Sequence, residues 1–139
     1  DITAAVCATD TVKVSAGPAI ARTNVAQSFT AAQRGATLTD ATNTGNITLN
    51  YDTYQNFVLT FTGNVTLDNP TTDVVGQSGV MVIIQDGSGS RTLSLGTDYE
   101  TVGGAGITLS TAAGSLDVLP YFISVAGKIQ LGAPQLAFA

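Results

Sequence analysis

The sequence of 139 residues contains no histidine and no tryptophan, one cysteine, and charged residues that make up only 11% of the chain. Without histidine, the commonest general base, the usual serine and cysteine triads and most zinc sites are excluded. Cys7 cannot form an intrachain disulfide and has no base beside it in sequence, so we expect an inert thiol. No apolar run approaches the length needed to cross a bilayer, and membrane insertion is not expected.

The charge balance is mildly acidic, with a formal net charge of −5 from 10 acidic and 5 basic residues. The basic residues are scattered along the chain, so no basic patch is present to neutralise phosphate groups. Nucleic-acid binding is therefore not expected. A surface with so few charges suits a protein that packs against other subunits better than it suits a dilute enzyme.

What the chain has in abundance favours β-structure. Hydrophobic residues make up 44%, there are 15 glycines, and threonine, valine and serine are frequent. Threonine and valine suit a pleated, half-buried surface, whereas long surface helices need more Glu, Lys and Arg than are present. The length is that of a single domain.

Short segments in which apolar and polar residues alternate predict about eight to ten strands at near-regular spacing. The predicted strands cover residues 36–40, 46–51, 56–62, 65–67, 80–84, 91–95, 98–102, 107–109, 116–125 and 128–131. Pro120 lies inside one of them and implies an edge position or a bulge, because proline cannot donate to a ladder. The predicted fold class is all-β, an antiparallel β-sandwich or jelly roll with an extended N-terminal arm.

The clearest strand pair surrounds residues 86–89, Asp-Gly-Ser-Gly. Residues 80–84 form an unbroken apolar run, which predicts a strand buried on both faces, and residues 91–95 alternate, which predicts burial on one face. Asp-Gly is favoured in tight turns because glycine accepts positive φ. We therefore expect a β-hairpin here, and a second one with its turn at residues 126–127.

The N-terminal region differs from the rest of the chain. Residues 1–27 contain few large apolar side chains and cannot make a core alone, so they are predicted to be an extended arm or leader, and residues 28–139 the folded domain. One helical turn is expected at residues 31–34, with Thr30 as its cap and Gly35 as a left-handed end. Only about 27 residues precede the domain.

Candidate catalytic and metal-binding residues are few. Asp98 and Glu100 are two apart on a predicted strand and could form a carboxylate pair for glycoside hydrolysis, but no second cluster converges on them in sequence, and a solvated strand face is the favoured explanation. Residues 86–90 resemble a calcium loop but lack its alternating ligands and closing glutamate. We predict no catalytic residue, no metal site and no cofactor site.

Other short patterns also have ordinary explanations. Residues 103–106, Gly-Gly-Ala-Gly, lack the Lys and Ser or Thr of a phosphate loop. Asn46 and Asn64 begin glycosylation sequons that fall in predicted strands. The sequence has four tyrosines: Tyr51, Tyr54, Tyr99 and Tyr121. They could stack on sugars if they share one face of the sheet, or they could fill the margins of the core or a seam between subunits.

Several blocks of the sequence, in order, resemble a module of tailed-phage virion proteins that is often found at tail-fibre C-termini. The blocks are Asn24-Val-Ala-Gln-Ser-Phe-Thr-Ala-Ala-Gln-Arg-Gly, then Phe57-Val-Leu-Thr-Phe-Thr-Gly-Asn-Val-Thr-Leu-Asp-Asn-Pro-Thr, Val75-Gly-Gln-Ser-Gly-Val, Gln85-Asp-Gly-Ser-Gly-Ser-Arg-Thr-Leu, and Leu109-Ser-Thr-Ala-Ala-Gly-Ser-Leu-Asp-Val-Leu-Pro-Tyr-Phe. The resemblance extends from Asn24 to Leu131. Several blocks in order are more specific than one short motif.

The resemblance implies a non-enzymatic virion structural protein on the outer surface of the particle, working as a homo-oligomer, with a homotrimer expected. The short leader favours a capsid decoration (cement) protein or a short head fibre or spike, attached to the major capsid or another virion protein through residues 1–27. The alternative is a tail-fibre or spike tip that binds host-surface polysaccharide through its tyrosines or glycine-rich loops.

Overall fold

The computed structural model describes residues 32–138, and the residues from Arg34 onward form one compact unit. Its elements in chain order are β1 (Thr37–Ile47), β2 (Asn56–Leu67), β3 (Ser78–Gln85), β4 (Leu93–Leu95), β5 (Tyr99–Glu100), a one-turn 3₁₀ helix (Val102–Gly104), β6 (Leu116–Val125), β7 (Lys128–Leu131) and β8 (Gln135–Phe138). The arm predicted for residues 1–27, including Cys7, and the start of the predicted helical turn lie outside the described residues.

The eight strands within residues 32–138 belong to one sheet, with the order β1-β2-β3-β6-β7-β5; β4 pairs with β2 and β8 with β6. The prediction of an all-β fold is confirmed. The prediction that its strands are antiparallel is wrong for much of the sheet, because four of the seven pairings are parallel: β1 with β2, β2 with β3, β2 with β4, and β5 with β7. A sandwich or jelly-roll arrangement is not confirmed.

The parallel neighbours β1 and β2, and β2 and β3, are joined by loops without a helix, and asparagine side chains help to hold successive segments in register. Three asparagines in and just after β2 each accept a hydrogen bond from a backbone N–H of the segment that follows. The pairs are Asn56 Oδ1 with Val80 N at 3.2 Å, Asn64 Oδ1 with Thr92 N at 3.1 Å, and Asn69 Oδ1 with Asp98 N at 3.0 Å. These side chains satisfy amides that would otherwise need another partner.

The predicted central hairpin is wrong. β3 and β4 both run parallel to β2, so the chain keeps its direction after the loop of residues 86–92. The buried side chain of Gln85 spans the interruption: its Nε2 donates to Arg91 O at 3.0 Å and its Oε1 accepts from Arg91 N at 2.8 Å. An amide side chain thus makes the pair of bonds that a neighbouring strand makes in a ladder.

The predicted reversal fails because the Asp-Gly-Ser-Gly loop packs on another loop. Ser90 N donates to Thr111 O at 2.9 Å, and Gly114 N donates to Asp86 O at 3.1 Å. Gly89 has φ of 68°, and a Cβ atom there would overlap Thr111 O. The glycine requirement therefore comes from a close approach between two loops.

Other element boundaries also differ from the prediction. β2 continues through residues 63–64, which separate two predicted strands, while residues 107–109 form no strand, and β8 was not predicted. Residues 32–34 are not helical, and Gly35 does not have the positive φ of a left-handed helix end. The domain boundary between residues 27 and 28 stays a prediction.

The second predicted hairpin is confirmed: β6 and β7 pair antiparallel across residues 126–127. Pro120 is not on an edge strand, since β6 has neighbours on both sides. The carbonyl of Pro120 accepts from Gly132 N at 2.9 Å, so its nitrogen points to the same side, where the neighbouring strand changes from β7 to β8. The missing N–H therefore falls where no ladder partner stands.

The core lies on one face of the sheet. Alternate residues of β2, β3, β6 and β7 point into it, and the largest fully buried side chains include Phe57, Phe61, Met81 and Leu119. Tyr51 packs edge-on against Phe57 and Tyr121, with ring centroids 5.2 and 5.3 Å apart. Edge-to-face aromatic packing of this kind stabilises the core beyond the area it buries.

Candidate functional site

An open cavity of about 670 Å³ lies beside β4 and β5. Backbone and polar side chains make much of its wall. It is lined by Leu93, Ser94, Leu95, Gly96, Tyr99, Glu100, Thr101, Gly104 and Gly106. A volume of this size is within the range of small-molecule sites in proteins.

The charged group of the cavity is Glu100. Lys128 Nζ lies 2.8 Å from Glu100 Oε1, and Gln130 Nε2 donates to Glu100 Oε2 at 2.8 Å. The Lys128 ammonium, with help from the Gln130 amide, lowers the pKa of Glu100, and the carboxylate in turn raises the pKa of Lys128. Glu100 therefore stays ionised, whereas a general acid for glycoside hydrolysis needs a raised pKa.

The parallel pairing of β5 with β7 creates this arrangement. It places Glu100 opposite Gln130, while Lys128 enters from the start of β7. Asp98, the other carboxylate of the predicted pair, lies in the turn before β5, where its N–H binds Asn69 and its carbonyl accepts from Ile129 N. The sequence contains no local signal for the contact between Glu100 and residues 128–130.

The glycine-rich segment 103–106 forms the rim of the cavity. Gly103, Gly104 and Gly106 all have positive φ, from 66° to 72°, and nothing lies within 4 Å of a Cβ added at any of them. Thr101 Oγ1 accepts from Gly106 N at 2.9 Å and closes the segment on itself. As expected from its composition, this segment is an exposed turn without the long helix that an anion site needs.

The tyrosines do not form a sugar-stacking surface. Tyr51, Tyr99 and Tyr121 are buried, with exposed fractions of 2%, 6% and 4%, and Tyr54 is half-buried. Tyr51 and Tyr99 are joined through their hydroxyl groups at 3.4 Å. Burial raises the pKa of Tyr51 far above its usual value and that of Tyr99 to about 12. The burial of three of the four tyrosines agrees with their interpretation as core residues.

The remaining candidate residues have structural partners. Asp86 Oδ2 accepts from Arg91 Nη2 at 2.8 Å, and this guanidinium lowers the pKa of Asp86. An arginine thus occupies the side of the carboxylate where a cation would bind, and residues 32–138 contain no group of three acidic or cysteine side chains that could hold a metal. Asn46 Nδ2 donates to Asp68, and Asn64 accepts from Thr92 N.

Comparison with protein families gives a match to a phage family. A family described as "Putative phage tail fibre C-terminal domain" matches residues 6–130, which is most of the chain. The chain belongs to this family. No curated protein and no solved structure matches it significantly.

Membership of the tail-fibre C-terminal domain family makes the chain a component of the bacteriophage virion, and the resemblance found in the sequence is confirmed. The family is typically structural and non-enzymatic. Within the described part of the chain, no helix is long and apolar enough to span a bilayer.

Proposed function

We propose that the chain is a structural module at the end of a tail fibre, exposed on the outer surface of the phage particle and working as a homotrimer. The observation that carries the proposal is the family match across residues 6–130. The β-rich body with few charged residues supports it, because rigid sheets with few charges suit subunit packing. In this proposal residues 1–27 join the module to the rest of the virion, by adding a strand or by lying across a neighbouring subunit.

The main competing location is the capsid, where the chain would act as a decoration, cement or short head-fibre protein. Gold-labelled antibodies against the purified chain, applied to intact particles and viewed by electron microscopy, separate the two. We expect label at the far ends of the tail fibres, with an antibody against the major capsid protein as the control for capsid labelling. Label over the capsid would contradict the tail-fibre location and support the decoration role. The absence of label on intact particles would contradict exposure of the chain on the outer surface.

A second candidate function is recognition of host-surface polysaccharide in the cavity beside β5. The specific observation in its favour is the polar lining, in which Glu100, Thr101 and Ser94 stand next to the open backbone of Gly104 and Gly106. Carboxylate, hydroxyl and backbone groups can bind sugar hydroxyls, and an open cavity admits an extended chain. With the tyrosines buried, binding would depend on hydrogen bonds.

This candidate predicts localised NMR changes when polysaccharide fragments from the host envelope are added to the ¹⁵N-labelled chain. We expect the amide signals of Ser94, Gly104 and Gly106 to shift in a saturable way, because these groups line the cavity. The smaller cavity near Asp52 and Thr53 provides an internal control whose signals should not move. Shifts there alone, or none anywhere at millimolar fragment, would contradict binding in this cavity.

A further inference from the structure

Among the described residues that line the cavity beside β5, Glu100 is the one charged side chain. The other side chains of the wall are neutral, and its hydrogen-bonding groups include the hydroxyls of Ser94 and Thr101. Within residues 32–138, no lysine or arginine lines the cavity. A ligand that enters it therefore meets one carboxylate and no positively charged side chain.

The Glu100 carboxylate is held in place from outside the cavity. Lys128 Nζ lies 2.8 Å from Glu100 Oε1, and Gln130 Nε2 donates to Glu100 Oε2 at 2.8 Å, but neither Lys128 nor Gln130 lines the cavity. A carboxylate has about four lone-pair positions, so these bonds leave about half of them for other donors. Because its position is already fixed, the carboxylate can accept a hydrogen bond from a ligand with little further loss of side-chain freedom.

Lys128 does not cancel the negative charge of this region. Glu100 raises the pKa of Lys128 most, and Asp98 raises it further, so two carboxylates act on one ammonium group. The Lys128 ammonium in turn lowers the pKa of Glu100, which keeps the carboxylate ionised at neutral pH. The chain as a whole also carries a formal net charge of −5. The cavity is therefore electrostatically negative on the side of Glu100.

We propose that Glu100 makes this cavity selective for neutral sugars, because its carboxylate accepts hydrogen bonds from sugar hydroxyl groups and repels sugars that carry a carboxylate of their own. The proposal rests on the second candidate function above, polysaccharide recognition in this cavity, and adds the chemical class of the polysaccharide. Hydrogen bonds to an ionised acceptor are about twice as strong as those between neutral groups. An acidic sugar would instead bring a second negative charge next to Glu100 and find no basic side chain in the wall.

Two substitutions in the same ion pair test the proposal in opposite directions. Glu100→Gln and Lys128→Met both remove the pair, but the first removes a negative charge beside the cavity and the second removes a positive one. The side chains of Lys128 and Glu100 are 49% and 41% exposed, so we expect both variants to fold and to keep a β-type circular dichroism spectrum.

The measurement is the affinity of the full chain for acidic and neutral trisaccharides, obtained from ¹⁵N amide shifts. Trigalacturonate is compared with galactotriose, and triglucuronate with cellotriose. The members of each pair are matched in linkage and ring stereochemistry and differ in the carboxylate, so the ratio of their dissociation constants reports the effect of charge alone.

We expect the wild-type chain to bind at least one neutral trisaccharide with a millimolar dissociation constant and its acidic counterpart roughly tenfold more weakly. Glu100→Gln should bring the ratio close to one, since the repulsion is removed, and should weaken neutral binding several-fold. Lys128→Met should raise the ratio above that of the wild type, because the carboxylates then act without an ammonium group. Asp40→Asn is the control: it changes the net charge as Glu100→Gln does, but Asp40 does not line the cavity, and the ratio should stay unchanged.

The outcomes are distinct. A ratio that falls in Glu100→Gln and rises in Lys128→Met supports the proposal. Ratios that move in the same direction in both variants would reflect the structural loss of the ion pair and overturn it. Equal wild-type affinity for acidic and neutral trisaccharides, or no binding of any of the four, also overturns it. The fragments of the host envelope test binding in the cavity independently of charge, so that candidate function and this selectivity fail separately.

Discussion

Replacing Asp117 with alanine is expected to lower the free energy of unfolding by about 3–5 kcal/mol, a large part of the stability of a typical domain. The Asp117 carboxylate is 1% exposed and accepts three hydrogen bonds. They come from Ser110 N at 2.7 Å, Ser110 Oγ at 2.6 Å and Ala137 N at 2.9 Å. Alanine would leave these donors without an acceptor, and unpaired buried groups cost more than a hydrogen bond contributes.

The same carboxylate fixes the C-terminal strand. Ala137 has φ of 58°, which is unusual for a residue with a Cβ atom, and the register between β6 and β8 shifts where it lies. The hydrogen bond from Ala137 N to Asp117 helps to hold this strained backbone in place. We therefore expect β8 to loosen first in the variant.

Urea unfolding at a fixed protein concentration measures the effect, and hydrogen exchange locates it. We expect the amides of Ser110 and Ala137 to lose protection, while Ile129 in β7 keeps most of its own. Asp40→Ala is the control, because the Asp40 carboxylate makes only local, exposed bonds to Thr42, and its loss should cost less than about 1 kcal/mol. Equal midpoints for the two variants would show that the buried carboxylate is not the anchor.

The sequence specifies which residues face the core better than it specifies the direction of the strands. Alternation puts Ile47, Leu49 and Tyr51 on one face of their segment, and Phe57, Leu59 and Phe61 on one face of theirs. All of these are buried except Ile47, which is half-buried. A two-residue period is the same for parallel and antiparallel strands, so it could not reveal that β1, β2 and β3 run in one direction. The direction of the strands was predicted from turn residues. The Asp-Gly-Ser-Gly segment, however, packs on another loop and does not reverse the chain.

Three asparagines of the sequence support the parallel arrangement, but through contacts with distant segments of the chain. Asn56, Asn64 and Asn69 bind amides 24 to 29 residues further along, so each asparagine has meaning only once the next segment is placed beside it. The same limit applies to the candidate site. Glu100 was singled out for a carboxylate pair with Asp98, yet its partners are Lys128 and Gln130, which the β5–β7 pairing brings to it.

Strand β3 shows the opposite case, in which the described residues bury one face of an unbroken apolar run more completely than the other. An unbroken apolar run predicted a strand buried on both faces, and the fold covers Met81 and Ile83 but leaves Val80, Val82 and Ile84 half-buried.

Replacing Gly89 with alanine is expected to lower the free energy of unfolding by about 3–4 kcal/mol, because two costs add. The left-handed backbone at φ of 68° costs a residue with a Cβ atom about 1–2 kcal/mol. The new Cβ would also overlap Thr111 O and lie 2.8 Å from Ala113 N, and backbone atoms cannot turn aside as a flexible side chain can.

Gly114→Ala separates the two costs. Gly114 has φ of 73°, close to that of Gly89, but nothing lies within 4 Å of a Cβ placed there. Its variant should lose only the backbone part, about 1–2 kcal/mol. Free energies of unfolding from urea titrations measured side by side should therefore differ by about 2 kcal/mol. The amide of Ser90, which donates to Thr111 O, should lose its exchange protection in Gly89→Ala alone. If both variants lost the same stability, the close approach of the two loops would contribute nothing, and the glycine at position 89 would be required for its φ alone.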